Sequence, residues 1–467
     1  MKYWGKKPHN IWNSYIKKYT KKGDYVLDPF VGSGMTYFES IKAGRIPITI
    51  DINPISDLCI QCLTTRNINP NEILSIANNI INKIKQTDCY KKEYLCTCSK
   101  CKKTTEIYNY KTNGKVTISY KCKNCKETIT DTLNTINQQE IYFIDKWIPS
   151  KKLSSLISVS QTFIDKIGGD NISNIWSNRN LKLLSELYDE ILNIDNEVIK
   201  EILVFAFIQS LHLTSKMCIP RGEKSNRPLS TSWGRPAYML SKKVFEQNPI
   251  LAFEKAISNG TGVLKGIASS EEYLGKVIPQ KTKHYLGNAM DILKKMDSNS
   301  IKLVITDPPY GDIIQYGDLS EVWVSWLEHY KTNYKINHEN EIIINSKKTQ
   351  FDYKKNLTDV FNEINRILQD DGTFILTFNS NQNDDWKSLF QAVKSSGFYI
   401  EKLILQKNLR SSEANVSAKT GIAISDYYII CKKGKWKVND NATKFLFDER
   451  GISLWMKKLA NMIIEIN

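Results

Sequence analysis

Strand-like and helix-like segments alternate at both ends of this 467-residue chain and give way to a different pattern between them. Near the N-terminus, strand-like residues 24–30, helix-compatible residues 34–44 and strand-like residues 45–54 form the pattern of a βαβ unit. The C-terminal half repeats the alternation, with strand-like segments at 282–293, 301–310, 372–380, 398–408 and 425–435 and helical apolar spacing at 357–368 and 385–397. Because alternating strands and helices build parallel sheets, both ends predict one parallel α/β sheet.

The middle of the chain lacks this alternation. It opens with a cluster of cysteines, continues with helical stretches and then becomes polar and rich in Gly, Pro and Arg at 219–239. A chain of this length is too long for one compact core, so several domains are expected. We predict an α/β domain in two parts, 1–85 and 281–435, with a cysteine-bearing insert at 86–135, a mainly helical insert at 136–280 and a C-terminal tail at 436–467.

Composition and charge limit the class of protein and the kind of partner. Hydrophobic residues make up 41% of the chain and charged residues 24%, which is typical of a soluble globular protein. No apolar run approaches the roughly 18 residues of a membrane span, and the N-terminus "MKYWGKKPHN" lacks the apolar core of a secretory signal, so we expect a cytoplasmic protein without a membrane partner. The net charge of +16 indicates a polyanionic partner such as nucleic acid, although scattered, solvated lysines would give the same total.

Four cysteines form two Cys-x-x-Cys pairs, "CSKC" at 98–101 and "CKNC" at 122–125. The residues between them read as two strands around Asn113-Gly114, a preferred two-residue hairpin turn. Two such pairs joined by a hairpin predict a zinc ribbon with a structural Zn²⁺. The predicted ligands are Cys98, Cys101, Cys122 and Cys125, with Cys96 as an alternative ligand and Cys89 as a bystander. The competing hypothesis is a surface hairpin with reduced cysteines.

Lysines surround the predicted ribbon and indicate contact with DNA, although a solvated face would have the same composition. These lysines are Lys100, Lys102, Lys103, Lys111, Lys115, Lys121, Lys123 and Lys126. A second candidate for DNA recognition is the polar segment of the helical insert. It contains Arg221, Arg227, Trp233 and Arg235. Arginine suits bidentate contacts with guanine or phosphate, but these arginines could equally hold a loop against the sheet.

The segment "LDPFVGSGMT" at 27–36 leaves a strand and enters a helix through two glycines. Gly32 and Gly34 permit a tight turn and close approach of a ligand to the backbone. Asp51, at the end of the next strand, is placed to accept hydrogen bonds from ribose hydroxyls. The loop has no phosphate-binding pattern, and Asp28 is expected to aim a negative charge into the crevice, so a positively charged nucleoside, S-adenosylmethionine, fits best. The alternative is a plain strand–turn–helix with a buried aspartate.

The segment "LVITDPPYGD" at 303–312 ends a buried strand with an acid, two prolines and a ring. Such a segment suits the methylation of an aromatic amine. The nitrogen lone pair of that amine is delocalised into the ring, and two acceptors placed on its N–H bonds would localise it. The Asp307 carboxylate and the Pro308 carbonyl are the expected acceptors, because Pro308 and Pro309 have fixed φ angles and preorganise the segment. Tyr310 is expected to offer its ring face to a base flipped out of the duplex. Alternatively, the prolines merely end the strand.

Together, "DPFVGSG" and "DPPY" resemble the cofactor and catalytic motifs of the amino-group (adenine-specific) DNA methyltransferases. The continuation after "DPPYGD" is similar to the zinc-ribbon-containing members of that family. The resemblance implies a Rossmann-like S-adenosylmethionine-dependent methyltransferase sheet, interrupted by a zinc ribbon and a mainly helical target-recognition insert. It also implies that residues 1–85 bind the cofactor and that residues 281–435 carry catalysis.

The family's site residues can be carried onto matching positions of this chain. Pro8 and Lys7 would close over the methionine end of the cofactor, and the segment "GNAMDIL" at 287–293 would contact the adenine ring. There, Asn288 stands where the family usually has Asp, and Met35 replaces a commoner Thr. The full set of implied cofactor contacts is Lys7, Pro8, Asp28, Pro29, Phe30, Gly32, Ser33, Gly34, Thr36, Asp51, Ile52, Asn53, Asn288 and Ala289. The implied catalytic residues are Asp307, Pro308, Pro309 and Tyr310.

These patterns predict a site-specific methyltransferase that acts on the N6 amino group of a flipped-out adenine in double-stranded DNA, as in restriction-modification. A cognate restriction endonuclease is a candidate second partner. The alternatives are an N4-cytosine DNA methyltransferase, which in this family more often has Ser before Pro-Pro, and a zinc-ribbon DNA-binding protein with a vestigial methylase fold. Methylation of RNA or of a protein glutamine usually goes with Asn-Pro-Pro at this place. Attack at cytosine carbon-5 is disfavoured because no Pro-Cys dipeptide follows a strand.

Overall fold

The computed structural model describes residues 8–133, 141–219, 237–240, 242–380, 382–407 and 425–436. Within these ranges the strands are β1 (Tyr25–Asp28), β2 (Ile46–Asp51), β3 (Leu95–Thr97), β4 (Thr104–Asn113), β5 (Lys115–Lys121), β6 (Thr128–Thr132), β7 (Val244–Gln247), β8 (Lys283–Leu286), β9 (Ile301–Thr306), β10 (Leu368–Phe378), β11 (Phe398–Lys407) and β12 (Ser425–Lys433).

Helices in the same ranges are α1 (His9–Tyr19), α2 (Met35–Lys42), α3 (Pro54–Thr64), α4 (Pro70–Lys85), α5 (Asp88–Tyr94), α6 (Gln161–Ile167), α7 (Asn178–Leu192), α8 (Glu197–Leu211), α9 (Pro249–Ile257), α10 (Val263–Leu274), α11 (Ala289–Leu293), α12 (Tyr316–Tyr330), α13 (Gln350–Ile367) and α14 (Asn383–Ser395). Short 3-10 helices lie at Leu153–Ser155, Ile172–Ile175 and His338–Asn340. Among the described helices, none combines the length and the apolar character that crossing a membrane requires.

The chain divides into two compact units. The sheet unit comprises the described residues within 5–60, 277–315 and 336–467, and the ribbon unit comprises those within 61–276 and 316–335. Each unit is therefore built from segments that are distant in sequence.

A seven-stranded sheet forms the centre of the sheet unit, in the order β8-β2-β1-β9-β10-β12-β11. The five strands from β8 to β10 are parallel, as predicted, but β12 runs antiparallel to both β10 and β11. The prediction of a wholly parallel sheet is therefore wrong at this edge. Parallel neighbours need a crossover connection, usually a helix, whereas β12 lies between β10 and β11 and pairs with each of them as in a hairpin.

Apolar side chains that point alternately to the two sides of each strand bury both faces of this sheet. Leu27 of β1 and Val304 of β9 pack on the face that α13 and α14 cover, where Trp386 is fully buried. Val26 and Leu303, their neighbours in sequence, face the opposite side with Trp12 of α1. Because successive side chains of a strand point to opposite faces, continuous apolar runs such as these are typical of a sheet with helices on both sides.

The strand order places β1 next to β9, although more than 270 residues separate them in sequence. From β1 the chain continues to β2 on one side, and from β9 it continues to β10 on the other side. In open α/β sheets the ligand crevice lies outside the carboxyl ends of the strands at such a reversal. The fold therefore indicates a site at the ends of β1 and β9.

In the ribbon unit, β3 to β6 form an antiparallel sheet in sequence order, and β7 pairs with β4. Arg179 of α7 forms a buried ion pair with Glu246 of β7 at 2.8 Å, within the helical insert. Its guanidinium also lies 4.0 Å from the centre of the Tyr110 ring on β4, and this contact joins the insert to the cysteine-bearing hairpin. Trp323 and Trp326 of α12 are buried.

Candidate active site and metal centre

Four of the predicted site residues lie at the carboxyl ends of neighbouring parallel strands. Asp51 and Asp28 end β2 and β1, Asp307 follows β9 directly, and Asn288 lies two residues after β8. In the sheet these strands are adjacent in the order β8-β2-β1-β9. The side-chain hydroxyl of Thr306 donates a hydrogen bond of 2.5 Å to the Asp28 carboxylate, which joins the two predicted motifs directly. The structure thus brings the glycine loop and the "DPPY" segment together on one edge of the sheet.

The glycine loop turns tightly from β1 into α2. The N–H of Gly34 donates to the carbonyl of Val31 at 3.1 Å, and both Gly32 and Gly34 have positive φ angles, of 54° and 85°. A Cβ on Gly34 would lie 2.7 Å from the ring of Phe38 and 3.0 Å from the side chain of Ile60, so a larger residue would have to displace these side chains. Glycine is required at position 34 for both backbone and packing reasons.

Asp51 fixes the shape of this loop from the neighbouring strand. Its carboxylate accepts hydrogen bonds from the N–H of Gly32 at 2.7 Å and from the N–H of Asn53 at 2.8 Å. Burial raises the pKa of Asp51 to about 6, and these two hydrogen bonds oppose the rise. Each carboxylate oxygen can accept more than one hydrogen bond, so contact with a ribose is compatible with this geometry and stays a prediction.

Asp28 differs from its expected position. Only 2% of its surface is exposed, and its oxygens accept hydrogen bonds from the hydroxyls of Thr306 and Thr36. Thr36 is fully buried and in turn accepts a hydrogen bond of 2.8 Å from the indole of Trp12. Burial raises the pKa of Asp28 to about 7, against the effect of its hydrogen bonds. The Asp28 carboxylate therefore does not aim into the crevice, as the sequence analysis expected, and Asp28 and Thr36 support the loop from inside the protein.

The other predicted cofactor contacts lie around the same loop. Asn288 accepts a hydrogen bond of 3.0 Å from the N–H of Met290 and so caps α11, and the N–H of Gly287 donates to the Asp51 carbonyl at 2.8 Å. Pro29 and Asn53 are buried, and Ala289 is 7% exposed. The half-buried residues among them are Pro8, Phe30, Ser33 and Ile52. Lys7 lies outside the described residues.

In the "DPPY" segment, two hydroxyls donate to the same oxygen of Asp307. These are the Tyr310 hydroxyl and the Thr377 hydroxyl of β10, the latter at 2.6 Å. The Tyr310 ring packs at 76° against the ring of Phe378, with the centroids 5.1 Å apart. Tyr310 is half-buried in this position, so it orients the carboxylate in addition to the stacking role that the sequence predicts for it.

Two further contacts hold the segment from the side of α13 and α14. The Tyr353 hydroxyl of α13 donates to the Pro309 carbonyl at 2.7 Å. Gly311 has a φ angle of 57°, and a Cβ there would lie 2.6 Å from the carboxylate of Asp385. Asp385 is itself held by the Ser380 hydroxyl at 2.7 Å. The sequence analysis missed Thr377, Tyr353 and Asp385. Of these three residues, only Thr377 stands out in the sequence, because it is the polar residue in the apolar run "FILTF".

The four predicted metal ligands also come together. One ligand atom from each of Cys98, Cys101, Cys122 and Cys125 lies within 4.8 Å of the others. The residue after each Cys-x-x-Cys pair, Lys102 or Lys126, has the same φ angle of 59°. The N–H of Cys98 donates to the Lys103 carbonyl and that of Cys122 to the Glu127 carbonyl, at 2.9 and 3.0 Å. Two matching knuckles therefore present four sulfur atoms to one point, as a tetrahedral zinc site requires.

The lysines around this centre divide into two groups. Lys100 forms an ion pair with Glu127, and the ammonium of Lys111 lies 5.8 Å from the centre of the Phe245 ring. The remaining six are exposed, namely Lys102, Lys103, Lys115, Lys121, Lys123 and Lys126. The second set of predicted DNA contacts, Arg221, Arg227, Trp233 and Arg235, lies outside the described residues.

The mixed seven-stranded sheet with acids and a glycine turn at its carboxyl edge is consistent with an S-adenosylmethionine-dependent methyltransferase. In agreement, residues 2–57 and 301–456 match the family N6_N4_Mtase, described as DNA methylase. In these two segments the chain is similar to the N6/N4 DNA methylase family, whose members methylate amino groups of DNA bases and use S-adenosylmethionine. The matched segments contain the glycine loop and the "DPPY" motif. No curated protein matches the chain.

Proposed function

We propose that the protein methylates the N6 amino group of adenine in double-stranded DNA. The observation that carries the proposal is the hydrogen bond between Thr306 and Asp28, because it brings the cofactor loop and the Asp307 segment to one site. The choice of adenine rests on Asp307, since the cytosine-specific relatives more often have Ser before Pro-Pro. The family match covers both N6 and N4 methylation.

The residues at the glycine loop fit S-adenosylmethionine better than a phosphate-bearing ligand. The segment at 27–36 contains no lysine or arginine, and the Asp51 carboxylate lies at the next strand end. A carboxylate without a basic side chain in the neighbouring loop suits a cationic nucleoside. When bound, S-adenosylmethionine supplies an electrophilic methyl group. The residues that would hold it are Gly32, Ser33, Asp51 and the stretch at 287–289.

The chain's own groups would prepare the target amine. The Asp307 carboxylate would accept one N–H of the amine and the Pro308 carbonyl the other, which localises the nitrogen lone pair. Thr377 and Tyr310 restrict rotation of the Asp307 carboxylate, and Tyr353 restrains the Pro309 carbonyl. Because these contacts exist before a base arrives, little reorganisation is needed during the reaction.

The test is transfer of tritiated methyl groups from S-adenosylmethionine to genomic DNA, followed by analysis of the labelled nucleosides. We expect N6-methyladenine. Label in N4-methylcytosine would show that the target is cytosine and not adenine. Label in RNA or protein alone would exclude DNA methylation. A vestigial methylase fold would give no heat with S-adenosylmethionine in a calorimeter, whereas the proposed enzyme should bind it.

Thr377→Val tests the orientation of Asp307. Valine has nearly the same shape but cannot donate a hydrogen bond, so we expect kcat to fall roughly tenfold, with KM for S-adenosylmethionine unchanged. Thr377→Ser, which keeps the hydroxyl, should restore most of the activity. Equal losses in both variants would mean that packing at this position matters and the hydrogen bond does not.

Gly311→Ala should move the "DPPY" segment. The added Cβ would overlap the Asp385 carboxylate, and a displacement of about 1 Å near the reacting groups can cost about a hundredfold in rate. Gly23→Ala is a matched control, because Gly23 has a φ angle of 86° but no atom within 4 Å of the added Cβ. We expect methyl transfer to fall at least about a hundredfold in Gly311→Ala and less than about threefold in Gly23→Ala. Similar rates in both would contradict the steric argument.

We also propose that the four-cysteine centre holds a structural Zn²⁺ and that the exposed lysines around it contact the DNA backbone. Four thiolates close the coordination shell, which leaves no position for a reacting group.

A further inference from the structure

Phe351 is exposed at the start of α13, where a large apolar side chain has no packing role. It is 67% exposed, and in the described part of the sheet unit Val277 is the other large apolar side chain with comparable exposure. Phe351 lies in the first turn of α13, and a capping box formed by Thr349 and Asp352 fixes that turn. The backbone at Phe351 is therefore fixed by a well-defined helix start.

The neighbours of Phe351 connect it to the catalytic segment. Tyr353 donates its hydroxyl to the Pro309 carbonyl at 2.7 Å. Gln350 donates its amide to the Ser388 hydroxyl at 2.9 Å, on the helix that also carries Asp385. Residues on both sides of Phe351 are thus anchored beside the "DPPY" segment.

One basic group lies close to the exposed ring. The Lys354 ammonium lies 5.9 Å from the centre of the Phe351 ring. Lys347 is exposed four residues earlier in sequence, and Lys355 forms an ion pair with Asp359 at 3.0 Å. An aromatic face combined with positive charge suits a nucleic acid, because bases stack on the ring and phosphates attract the cations.

We propose that Phe351 inserts into the DNA duplex at the target base and fills the space that this base leaves in the stack when it flips out. The inference rests on the proposed function and adds to it the residue that stabilises the opened duplex. Apolar wedges between base steps are a general means of keeping a duplex distorted, and removal of the target base from the stack leaves such a gap.

The experiment compares two duplexes that carry the methylated site mapped in genomic DNA. One is fully paired, and the other has an abasic position opposite the target, so that flipping costs less. In Phe351→Ala, KM for the paired duplex should rise about tenfold, while KM for the abasic duplex should stay within about twofold. Phe351→Leu should lose less than Phe351→Ala, since leucine is still an apolar wedge. Val277→Ala, the matched exposed residue, should behave as wild type.

Fluorescence of 2-aminopurine at the target position gives a second readout that does not require turnover. Its increase on binding should be smaller for Phe351→Ala than for wild type. Unchanged KM and fluorescence in Phe351→Ala, or equal defects on both duplexes, would overturn the inference while the wild type still methylates DNA. A wild-type protein that transfers no methyl group to DNA would instead overturn the proposed function, and this inference with it.

Discussion

Asp307→Ala is expected to abolish detectable methyl transfer to DNA, with a loss in kcat of about a thousandfold or more. Alanine removes the acceptor that is proposed to localise the lone pair of the target amine. The carboxylate is fixed by Thr377 at 2.6 Å and by Tyr310, so its loss removes a preorganised group that solvent cannot replace in the same position. S-adenosylmethionine binding should stay within about twofold of wild type, because the loss is confined to the transition state.

Asp307→Asn sharpens this test. The amide keeps one oxygen for Thr377 and Tyr310, but it has lost the negative charge that a strong acceptor needs. We expect Asp307→Asn to bind DNA and cofactor as wild type does and to transfer methyl groups at least about a hundredfold more slowly. The measurement is single-turnover transfer of tritiated methyl groups. Substantial activity in Asp307→Ala would show that the amine is activated by other groups and would remove Asp307 from the reaction.

The convergence of the two ends of the chain could be predicted from sequence because it depends on local patterns. Strand, glycine turn and helix at 24–44 and the strand before Asp307 each have a clear signal, and ends of parallel strands meet at one edge. The hairpin around Gly114 is equally local, and its two strands end and begin at the residues next to that glycine. Elements whose geometry is encoded within about ten residues were therefore the predictable ones.

The rest depends on contacts between distant segments. The residues next to Asp28 in sequence do not show whether its side chain faces a ligand or is buried. In the structure it is buried and accepts hydrogen bonds from Thr306 of β9 and Thr36 of α2, which are two different elements. Thr377 contacts Asp307 because β10 is the neighbour of β9, a fact of strand order that short patterns do not contain. The same holds for the antiparallel direction of β12, which is set by its pairing with strands on both sides.

The zinc centre should decide the stability of the ribbon unit. Cys101→Ser together with Cys122→Ser removes two ligand sulfur atoms that lie 3.5 Å apart, and a serine hydroxyl does not replace a thiolate on zinc. Zinc sites of this kind contribute about 10–16 kcal/mol of binding free energy in isolated fingers, and even a fraction of this value shifts a melting temperature by roughly 10 °C or more. We expect the double variant to contain no zinc by atomic absorption and to lose the ribbon unit's thermal transition at the wild-type temperature.

Cys96→Ser is the matched control, because Cys96 lies on β3 beside the centre but outside the group of four sulfur atoms. It should retain one zinc per chain and melt within about 2 °C of wild type. Calorimetry with S-adenosylmethionine separates the two units further. The predicted cofactor residues belong to the sheet unit, so the double cysteine variant should still bind the cofactor even where DNA binding is lost. An unchanged zinc content or melting temperature in that variant would exclude a structural metal at this centre, and zinc loss from Cys96→Ser would place Cys96 in the coordination shell.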